Sequence, residues 1–179
     1  MPRFVAFLRA VNVGGRFVKM PTLVSVFEDL GFDGVSTFIA SGNVVFRARS
    51  ASAVARAPQI ESALRHALGF EVATFVRTES EIQALAGRRG FPDAKLAEAK
   101  ALNVFFLRAG LSATQLAQLR ALRSDDDEFA ARGTEIFWLC RRRQSESKVS
   151  NASLERKLSI QATMRSLSTV QRLAATLSA

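Results

Sequence analysis

The chain has 179 residues, of which 48% are hydrophobic and 23% charged, a composition typical of a globular protein rather than of a disordered one. No stretch approaches the roughly 18 uninterrupted apolar residues of a membrane span, and strand-like sequence starts too close to Met1 for a signal peptide. The single cysteine, Cys140, excludes an internal disulfide or a thiolate cage for a metal. A cytoplasmic protein with no membrane partner is expected.

The net charge of +9 is concentrated at the two ends of the chain. Residues 1–24 contain four basic residues and no acidic one, and residues 141–179 contain eight basic residues and two acidic ones. If the fold brings these ends together, they form one positive surface suited to an anionic partner. The alternative is ordinary solvated surface on an arginine-rich chain.

The first half of the chain has the element order β-α-β-β-α-β, which is the ferredoxin-like pattern. Apolar runs, apolar periodicity and turn residues indicate the elements. They are a strand at Phe4–Leu8, a helix from Pro21 to Leu30, strands at Val35–Ala40 and Val44–Ala48 around the turn Ser41-Gly42-Asn43, an Ala/Ser-rich connector from Ser50 to Ala57, a helix at Ile60–Leu68 and a strand at Glu71–Arg77.

The second half predicts a variant of the same pattern, with its last strand replaced or missing. Capping-box matches at Thr78 and Ser112 open two helices. The remaining elements are strands at Asn103–Arg108, Phe129–Arg132 and Glu135–Cys140, and helices at Asn151–Leu158 and Thr169–Leu177. The fold class is therefore α+β, with two tandem ferredoxin-like halves at 1–78 and 79–179, the second ending in a basic helical tail.

Strand one is apolar on both faces, since Val5 and Phe7 alternate with Phe4, Ala6 and Leu8. A half-solvated sheet would alternate apolar with polar residues. The sheet is thus expected to be covered on both faces, by the other half or by a partner subunit. A covered sheet also disfavours base stacking of the kind that RNA-recognition domains use.

The loop from Arg9 to Lys19 is the main candidate site. Gly14 and Gly15 allow the backbone to curl and present N–H groups, and Asn12 can donate a hydrogen bond or cap. Arg9, Arg16 and Lys19 add positive charge beside a helix N-terminus, which favours anions. The pattern is not a nucleotide-specific fingerprint, and a plain connector with solvated arginines is the alternative.

The turn Ser41-Gly42-Asn43 is predicted to lie far from this loop. Strands one and three are expected to be parallel neighbours, with strand two running the other way, so the loop and the turn fall at opposite ends of the sheet, roughly 20 Å apart. A structural turn is therefore expected there; the alternative is a second contact surface.

Three other groups of residues favour a structural explanation. The acidic run Asp125 to Glu128 is predicted to be a solvated loop, because consecutive acids do not converge on a metal without turn glycines. His66, the only histidine, has no acid–base partner nearby in sequence. Cys140 is expected to be a buried thiol, and Arg141-Arg142-Arg143 an exposed turn. No metal and no cofactor is predicted.

Several segments resemble the bacterial family called domain of unknown function 1697. That family typically opens Leu-Leu-Arg-Gly-Ile-Asn-Val-Gly-Gly, followed by Lys-Met and by Ser-Gly-Asn-Val-Val-Phe. The corresponding segments here are Leu8 to Gly15, Lys19-Met20 and Ser41 to Phe46, and Ser147-Lys148 and part of Thr163–Thr169 resemble its C-terminal motifs. The resemblance implies tandem ferredoxin-like halves and implies no activity.

The chain departs from the family at four positions. Ala10 replaces a glycine, so the backbone at this position need not adopt a conformation reserved for glycine. Ser166, Leu167 and Ser168 replace Asn, Trp and Asn of the family's Thr-x-Arg-Asn-Trp-Asn-Thr segment. This chain therefore has neither the amides nor the indole ring of that segment.

The leading hypothesis is an anion-binding protein whose ligand is nucleic acid or a phosphorylated molecule. Its site is centred on Arg9, Asn12, Gly14, Gly15 and Lys19, with Lys148 and Arg165 completing it if the basic tail folds back. One alternative is an enzyme acting on a phosphorylated or carboxylated metabolite, with Asn12 and Lys19 stabilising negative charge; it has no identifiable nucleophile or general base. The other is a structural or homo-oligomeric interaction protein.

Overall fold

The computed structural model describes residues 1–49 and 51–179. Ser50, the first residue of the predicted connector, lies outside the described residues. The chain divides into two compact units, Met1–Ile82 and Gln83–Ala179. Each unit contains one four-stranded antiparallel sheet.

The sheet of the first unit has the strand order β2-β3-β1-β4, which is consistent with the ferredoxin-like fold predicted from the element order. Its elements are β1 Arg3–Leu8, α1 Met20–Asp29, β2 Asp33–Thr37, β3 Asn43–Arg47, a 3-10 helix Ala51–Arg56, α2 Ala57–Leu68 and β4 Thr74–Thr78. The helix α3 Glu79–Gly87 follows and contains the division between the units.

The core of the first unit lies between its sheet and the helices α1 and α2. Phe4, Ala6 and Leu8 of β1 point to this side, where they meet Phe27 of α1 and Leu64 of α2. Pro21 occupies the first turn of α1, where its missing N–H costs no helical hydrogen bond. The apolar periodicity of the sequence therefore identified both helices and the face that each buries.

The second unit contains a complete β-α-β-β-α-β pattern, so the prediction of a missing last strand was wrong. Its elements are α4 Asp93–Leu96, β5 Ala101–Leu107, α5 Ala113–Ala121, β6 Asp127–Arg132, β7 Glu135–Cys140, a 3-10 helix Gln144–Glu146, α6 Asn151–Leu158, β8 Ala162–Ser166 and α7 Leu167–Ser178. The strand order β6-β7-β5-β8 repeats that of the first unit. The strand β8 escaped prediction because only its first two residues, Ala162 and Thr163, are buried.

Both faces of the central strands β1 and β5 are buried, as predicted for strand one. Val5 and Phe7 of β1, which point away from α1 and α2, are fully buried, and so are Val104 and Phe106 of β5.

The acidic run is not a solvated loop, which corrects the prediction for its last two residues. Asp127 and Glu128 belong to β6 and are 6% and 5% exposed. Asp127 accepts hydrogen bonds from Trp138 Nε1 at 2.8 Å and from Ser147 Oγ at 3.1 Å. Buried carboxylates persist where such donors compensate for lost water, and sequence alone does not reveal donors from distant strands.

Arg141 is likewise not part of a fully exposed turn. It donates to Glu98 at 2.6 Å and to Glu128 at 3.0 Å, and its side chain is 22% exposed. Arg142 and Arg143 are exposed as predicted. Cys140 is a buried free thiol, also as predicted, and burial raises the pKa of this thiol.

Across residues 1–49 and 51–179, no helix has both the length and the apolar character needed to cross a membrane.

Candidate functional site

The turn containing Ser41 and Gly42 lies beside the loop that follows β1, and the prediction of opposite ends was wrong. The strands β1 and β3 are antiparallel, with Phe7 opposite Asn43. The N–H of Leu8 donates to the carbonyl of Gly42 at 2.8 Å. The error was in strand direction: a β-α-β crossover makes β1 and β2 parallel, and β3 returns between them antiparallel to both.

Asn12 joins the loop to the turn. Its Nδ2 donates to the carbonyl of Ala40 at 3.1 Å, and its Oδ1 accepts from the N–H of Val18 at 2.6 Å. The side chain thus bonds to backbone groups that lie six and 28 residues later in the chain. We assign Asn12 a positioning role, because both of its amide atoms already bond to the protein backbone.

Loss of this link should loosen the loop. We expect Asn12→Gly to lower the free energy of unfolding by about 1–2 kcal/mol, because two hydrogen bonds of a partly buried amide disappear. Asn12→Ala should cost about 1 kcal/mol more, since Asn12 has a φ of 60° and alanine tolerates that conformation less well than glycine. Urea unfolding of both variants measures this; equal stability of Asn12→Gly and the unaltered chain would contradict it.

The loop backbone is curled, with a positive φ at Ala10, Asn12, Gly14 and Gly15. Ala10 has a φ of 58°, so the backbone adopts the left-handed conformation here although the residue is not glycine. Ile39, in the adjoining turn, has a φ of 50°, which is an outlier for a β-branched residue. The loop and the turn are thus two strained segments that meet at this edge of the sheet. Strained backbone of this kind costs about 1–3 kcal/mol and clusters at functional sites.

Two basic side chains of the loop are exposed. The guanidinium of Arg16 lies 4.6 Å from the centroid of the Phe70 ring, and Lys19 occupies the N-cap position of α1. Among the described residues, neither forms an ion pair with a carboxylate. The first turn of α1 contains no acidic residue, so its N-terminal dipole is not neutralised there.

Apolar side chains are exposed at the same edge of the sheet. Phe17 is 81% exposed and Val13 62%, and Ile39 of the turn is 41% exposed. Sequence reasoning missed these residues. The available signal was a phenylalanine between Arg16 and Lys19, outside any predicted element.

The other predicted site residues have more limited roles in the described structure. Arg9 is partly buried, and its N–H donates to the carbonyl of Ala73 at 2.9 Å. Lys148 is exposed and lies in the second unit, before α6. Arg165, on β8, donates to Thr163 Oγ1 at 2.9 Å and to the Met164 carbonyl at 2.8 Å. Burial lowers the pKa of Arg165 to about 10.

Comparison with known families settles the relationship of the chain. The family described as "Protein of unknown function (DUF1697)" matches residues 1–137. The chain belongs to the DUF1697 family. The match contains the loop and turn of the first unit, whereas Ser147, Lys148 and the segment Thr163–Thr169 lie beyond it.

A solved structure supports the fold of this DUF1697 protein. The conserved bacterial protein SP0830 from Streptococcus pneumoniae is similar to it, with a TM-score of 0.76 and 22% sequence identity. The similarity covers 100% of this chain and 99% of that one. No curated protein matches the chain. At this identity the comparison shows the fold alone.

Proposed function

We propose that this DUF1697 protein binds a phosphate-bearing ligand at the surface formed by the loop Arg9–Lys19 and the turn 38–43, which we call the loop–turn surface. The observation that carries the proposal is the presence on this loop of two exposed cations, Arg16 and Lys19, which have no carboxylate partner within the described part of the chain, next to the exposed ring of Phe17. Cations without carboxylate partners attract anions, and an exposed ring provides a face for stacking.

Single-stranded nucleic acid fits this surface better than a small phosphorylated molecule. Proteins that bind single strands combine positive charge along the backbone path with aromatic side chains on which bases stack. Here the ring is on a loop rather than on the covered sheet. Gly14 and Gly15, both at positive φ, add backbone amides close to these side chains. Lys148 and Arg165 remain a prediction for this surface.

Charge reversal tests the proposal. We expect Arg16→Glu/Lys19→Glu to bind a fluorescent 12-nucleotide single strand about 100-fold more weakly, because two charge-assisted contacts are lost. The slope of log affinity against log salt should flatten by about 1.4, as expected for two single-strand phosphate contacts. Fluorescence anisotropy between low and moderate salt measures both quantities.

The matched control is Arg156→Glu/Lys157→Glu on α6, which changes the net charge equally at exposed positions of the second unit. It should bind nearly as the unaltered chain does. Phe17→Ala tests stacking on the ring: weakening by about tenfold or more indicates stacked bases, whereas unchanged binding indicates that the surface recognises phosphate groups alone. Equal binding by Arg16→Glu/Lys19→Glu and the unaltered chain would refute the proposal.

A further inference from the structure

The strand β6 lies at an edge of the sheet in the second unit. Among the described strands it pairs only with β7, and their register continues without a shift from Asp127 to Arg132. The edge strand β2 of the first unit differs, because its register shifts between Asp33 and Ser36. Bulges and other irregularities are one way in which proteins keep an edge strand from pairing with further chains. The edge of β6 is regular and lacks this protection along its length.

Alternate residues of β6 direct their backbone groups away from β7. At the start of the ladder the N–H of Arg141 donates to the carbonyl of Asp126 at 2.8 Å. Hydrogen-bonded pairs of an antiparallel ladder alternate with pairs that form no such bonds, so Phe129 and Ala131 direct their N–H groups outward. Within residues 1–49 and 51–179 no acceptor bonds to either N–H, whereas the outward carbonyl of Ala131 accepts from Arg132 Nη1 at 3.3 Å. The edge therefore presents two unused donors at the spacing of a strand.

A cavity of about 580 Å³ follows this edge as a groove. Five consecutive residues of β6, Glu128 to Arg132, line it, so the groove runs along the strand rather than across it. A peptide added to β6 would occupy this groove as a further strand, and its side chains would point alternately to the two faces of the sheet. In recognition by strand addition, main-chain hydrogen bonds supply affinity and the contacts of alternate side chains supply specificity.

Both faces of the sheet offer apolar contacts to such side chains. On one face Leu119 of α5 and Phe129 belong to the same apolar cluster, and both line the groove. On the other face the groove is lined by Phe91, which follows Gly90, a residue in contact with Phe137. The side chain of Phe137 points to this second face, because its neighbours in β7 belong to the cluster on the first. The groove therefore has apolar residues on both sides of the edge.

The charge of the groove indicates the charge of the peptide. Its lining contains four basic residues and one acidic residue, namely Lys95, Arg120, Arg123, Arg132 and Glu128. Lys95 and Arg123 pair with Glu128 at 2.9 and 2.8 Å. Within the part of the chain that the structure describes, Arg120 and Arg132 pair with no carboxylate, so both cations are available to an acidic ligand. A second copy of the chain would bring the same cations to this edge again, which opposes pairing between two copies.

We propose that the edge of β6 binds an extended, acidic peptide segment of a partner protein as a fifth strand of this sheet. The N–H groups of Phe129 and Ala131 donate to carbonyl groups of the peptide, and its apolar side chains contact the apolar residues of the groove. Its carboxylates lie beside Arg120 and Arg132. The site uses no residue of the loop–turn surface, so this proposal is independent of ligand binding there.

The test begins with the full chain and fluorescent peptides, whose binding is measured by anisotropy. The acidic probes are Ser-Glu-Val-Glu-Val-Glu-Ser and its two variants with leucine or phenylalanine in place of valine. We expect at least one of them to bind. Its counterpart with lysine in place of every glutamate should bind at least about tenfold more weakly because of the cations in the groove. A Kd weaker than about 1 mM for all three acidic probes would overturn the proposal, and so would equal affinity for the lysine counterpart.

A backbone-modified probe tests strand addition. The best acidic probe is N-methylated at its three central residues, which keeps its side chains and removes the N–H groups that a strand needs. It should bind at least about tenfold more weakly than the unmodified probe, because main-chain hydrogen bonds supply affinity in this mode. Equal affinity of the two probes would show that the peptide does not bind as a strand.

Ala131→Pro tests the edge of β6 itself. Proline has no N–H, and it is tolerated on edge strands where the N–H faces solvent. The ladder between β6 and β7 keeps its hydrogen bonds, so Tm should fall by no more than about 5 °C. The Kd of the acidic probe should rise about tenfold or more, since a donor is lost and the proline ring blocks the approach of a strand. Unchanged probe affinity in folded Ala131→Pro would refute the proposal.

Ala130→Pro is the matched control for the direction of the backbone groups. Ala130 lies opposite Phe137 in the ladder, and by the same alternation its N–H points toward β7. Its replacement removes a ladder hydrogen bond and should lower Tm by about 10 °C or more. If Ala131→Pro lowers Tm as much as Ala130→Pro does, the N–H of Ala131 does not point outward and the proposal fails.

Two surface variants keep the test independent of folding. Arg120 and Arg132 are exposed, so Arg120→Glu/Arg132→Glu should fold normally and bind the acidic probe at least about tenfold more weakly. Arg16→Glu/Lys19→Glu changes the net charge equally in the first unit and should bind the probe unchanged. Full affinity in Arg120→Glu/Arg132→Glu would contradict the location. Reduced affinity in Arg16→Glu/Lys19→Glu would show that the peptide binds at the loop–turn surface instead.

A second copy of the chain is the competing occupant of this edge. Static light scattering of the unaltered chain and of Ala131→Pro distinguishes the two, because a dimer doubles the measured mass. We expect both proteins to be monomers at micromolar concentration. A dimer of the unaltered chain that Ala131→Pro dissociates would show that β6 pairs with its own copy, and would overturn the assignment of an acidic peptide.

Discussion

Gly90→Ala is expected to lower the free energy of unfolding by about 3 kcal/mol. A Cβ at position 90 would lie 2.7 Å from Cγ and 2.8 Å from Cβ of Phe137. Phe137 is fully buried in β7, so its ring has no open space into which to move. Overpacking of this kind costs about 1–3 kcal/mol, and the φ of +74° at Gly90 adds about 1 kcal/mol for any other residue.

Gly133→Ala is the matched control in the same unit. Gly133 also has a positive φ, of +57°, but a Cβ there would meet nothing within 4 Å. Gly133→Ala should therefore lower the free energy of unfolding only by the backbone contribution of about 1 kcal/mol. Urea unfolding followed by the fluorescence of Trp138, the only tryptophan of the chain and a buried residue of this unit, measures both variants. Equal decreases in stability for the two variants would contradict the prediction, because they would show that Phe137 moves to accommodate the added methyl group.

Glu128→Gln is expected to have a similarly large effect, about 2–3 kcal/mol of destabilisation. Oε1 of Glu128 lies 2.9 Å from Lys95 Nζ and 2.8 Å from Arg123 Nη2, and Oε2 lies 3.0 Å from Arg141 Nη2. Its side chain is 6% exposed. Neutralising a buried partner leaves the opposite charges uncompensated, which costs about 3–5 kcal/mol in buried pairs; we expect less because the cations are partly solvated.

The control for this variant is Glu98→Gln. Glu98 also accepts from Arg141, at 2.6 Å, but its side chain is 59% exposed. Exposed ion pairs contribute at most about 1 kcal/mol. The two variants therefore each remove a contact to the same arginine, one from a buried carboxylate and one from an exposed carboxylate. A similar decrease in the free energy of unfolding for both would show that the burial of Glu128 does not determine the size of the effect.

The effect of Glu128→Gln should also depend on pH. The hydrogen bond from Lys95 and, after it, that from Arg141 hold the pKa of Glu128 below its ordinary value of 4.5, although burial acts in the opposite direction. A carboxylate with a lowered pKa contributes stability that is complete above its unfolded pKa and is lost as pH falls through its folded pKa. The stability difference between Glu128→Gln and the unaltered chain should thus be full at neutral pH and shrink below about pH 4.5. A constant difference down to pH 3 would count against this assignment.

Local sequence predicted most of the elements but not how the strands run. The helices α1 and α2 have apolar residues at regular helical spacing, and β1, β3 and β7 are short apolar runs. The strand β8 was missed, since Met164, Arg165 and Ser166 give no apolar alternation. The direction of β3 relative to β1 is a property of the sheet, and an incorrect direction separated the loop from the turn that contacts it.

The candidate functional residues were likewise predicted only in part. Sequence pointed to the loop Arg9–Lys19 because glycines and cations occur together there, and this requires no knowledge of distant residues. It did not reveal that Asn12 bonds to Ala40, or that β6 lies at an edge of its sheet. Both facts depend on residues that lie far away in sequence.

What the sequence by itself determined about this protein is its element order, its fold class, its family and the positive charge of its two ends. These follow from periodicity, turn residues and motifs that act within a few residues of each other. Only the tertiary structure decided which loops meet, which carboxylates are buried among cations, and which strand lies at the edge of its sheet. Those properties depend on hydrogen bonds and burial between residues tens of positions apart, and no local pattern encodes them.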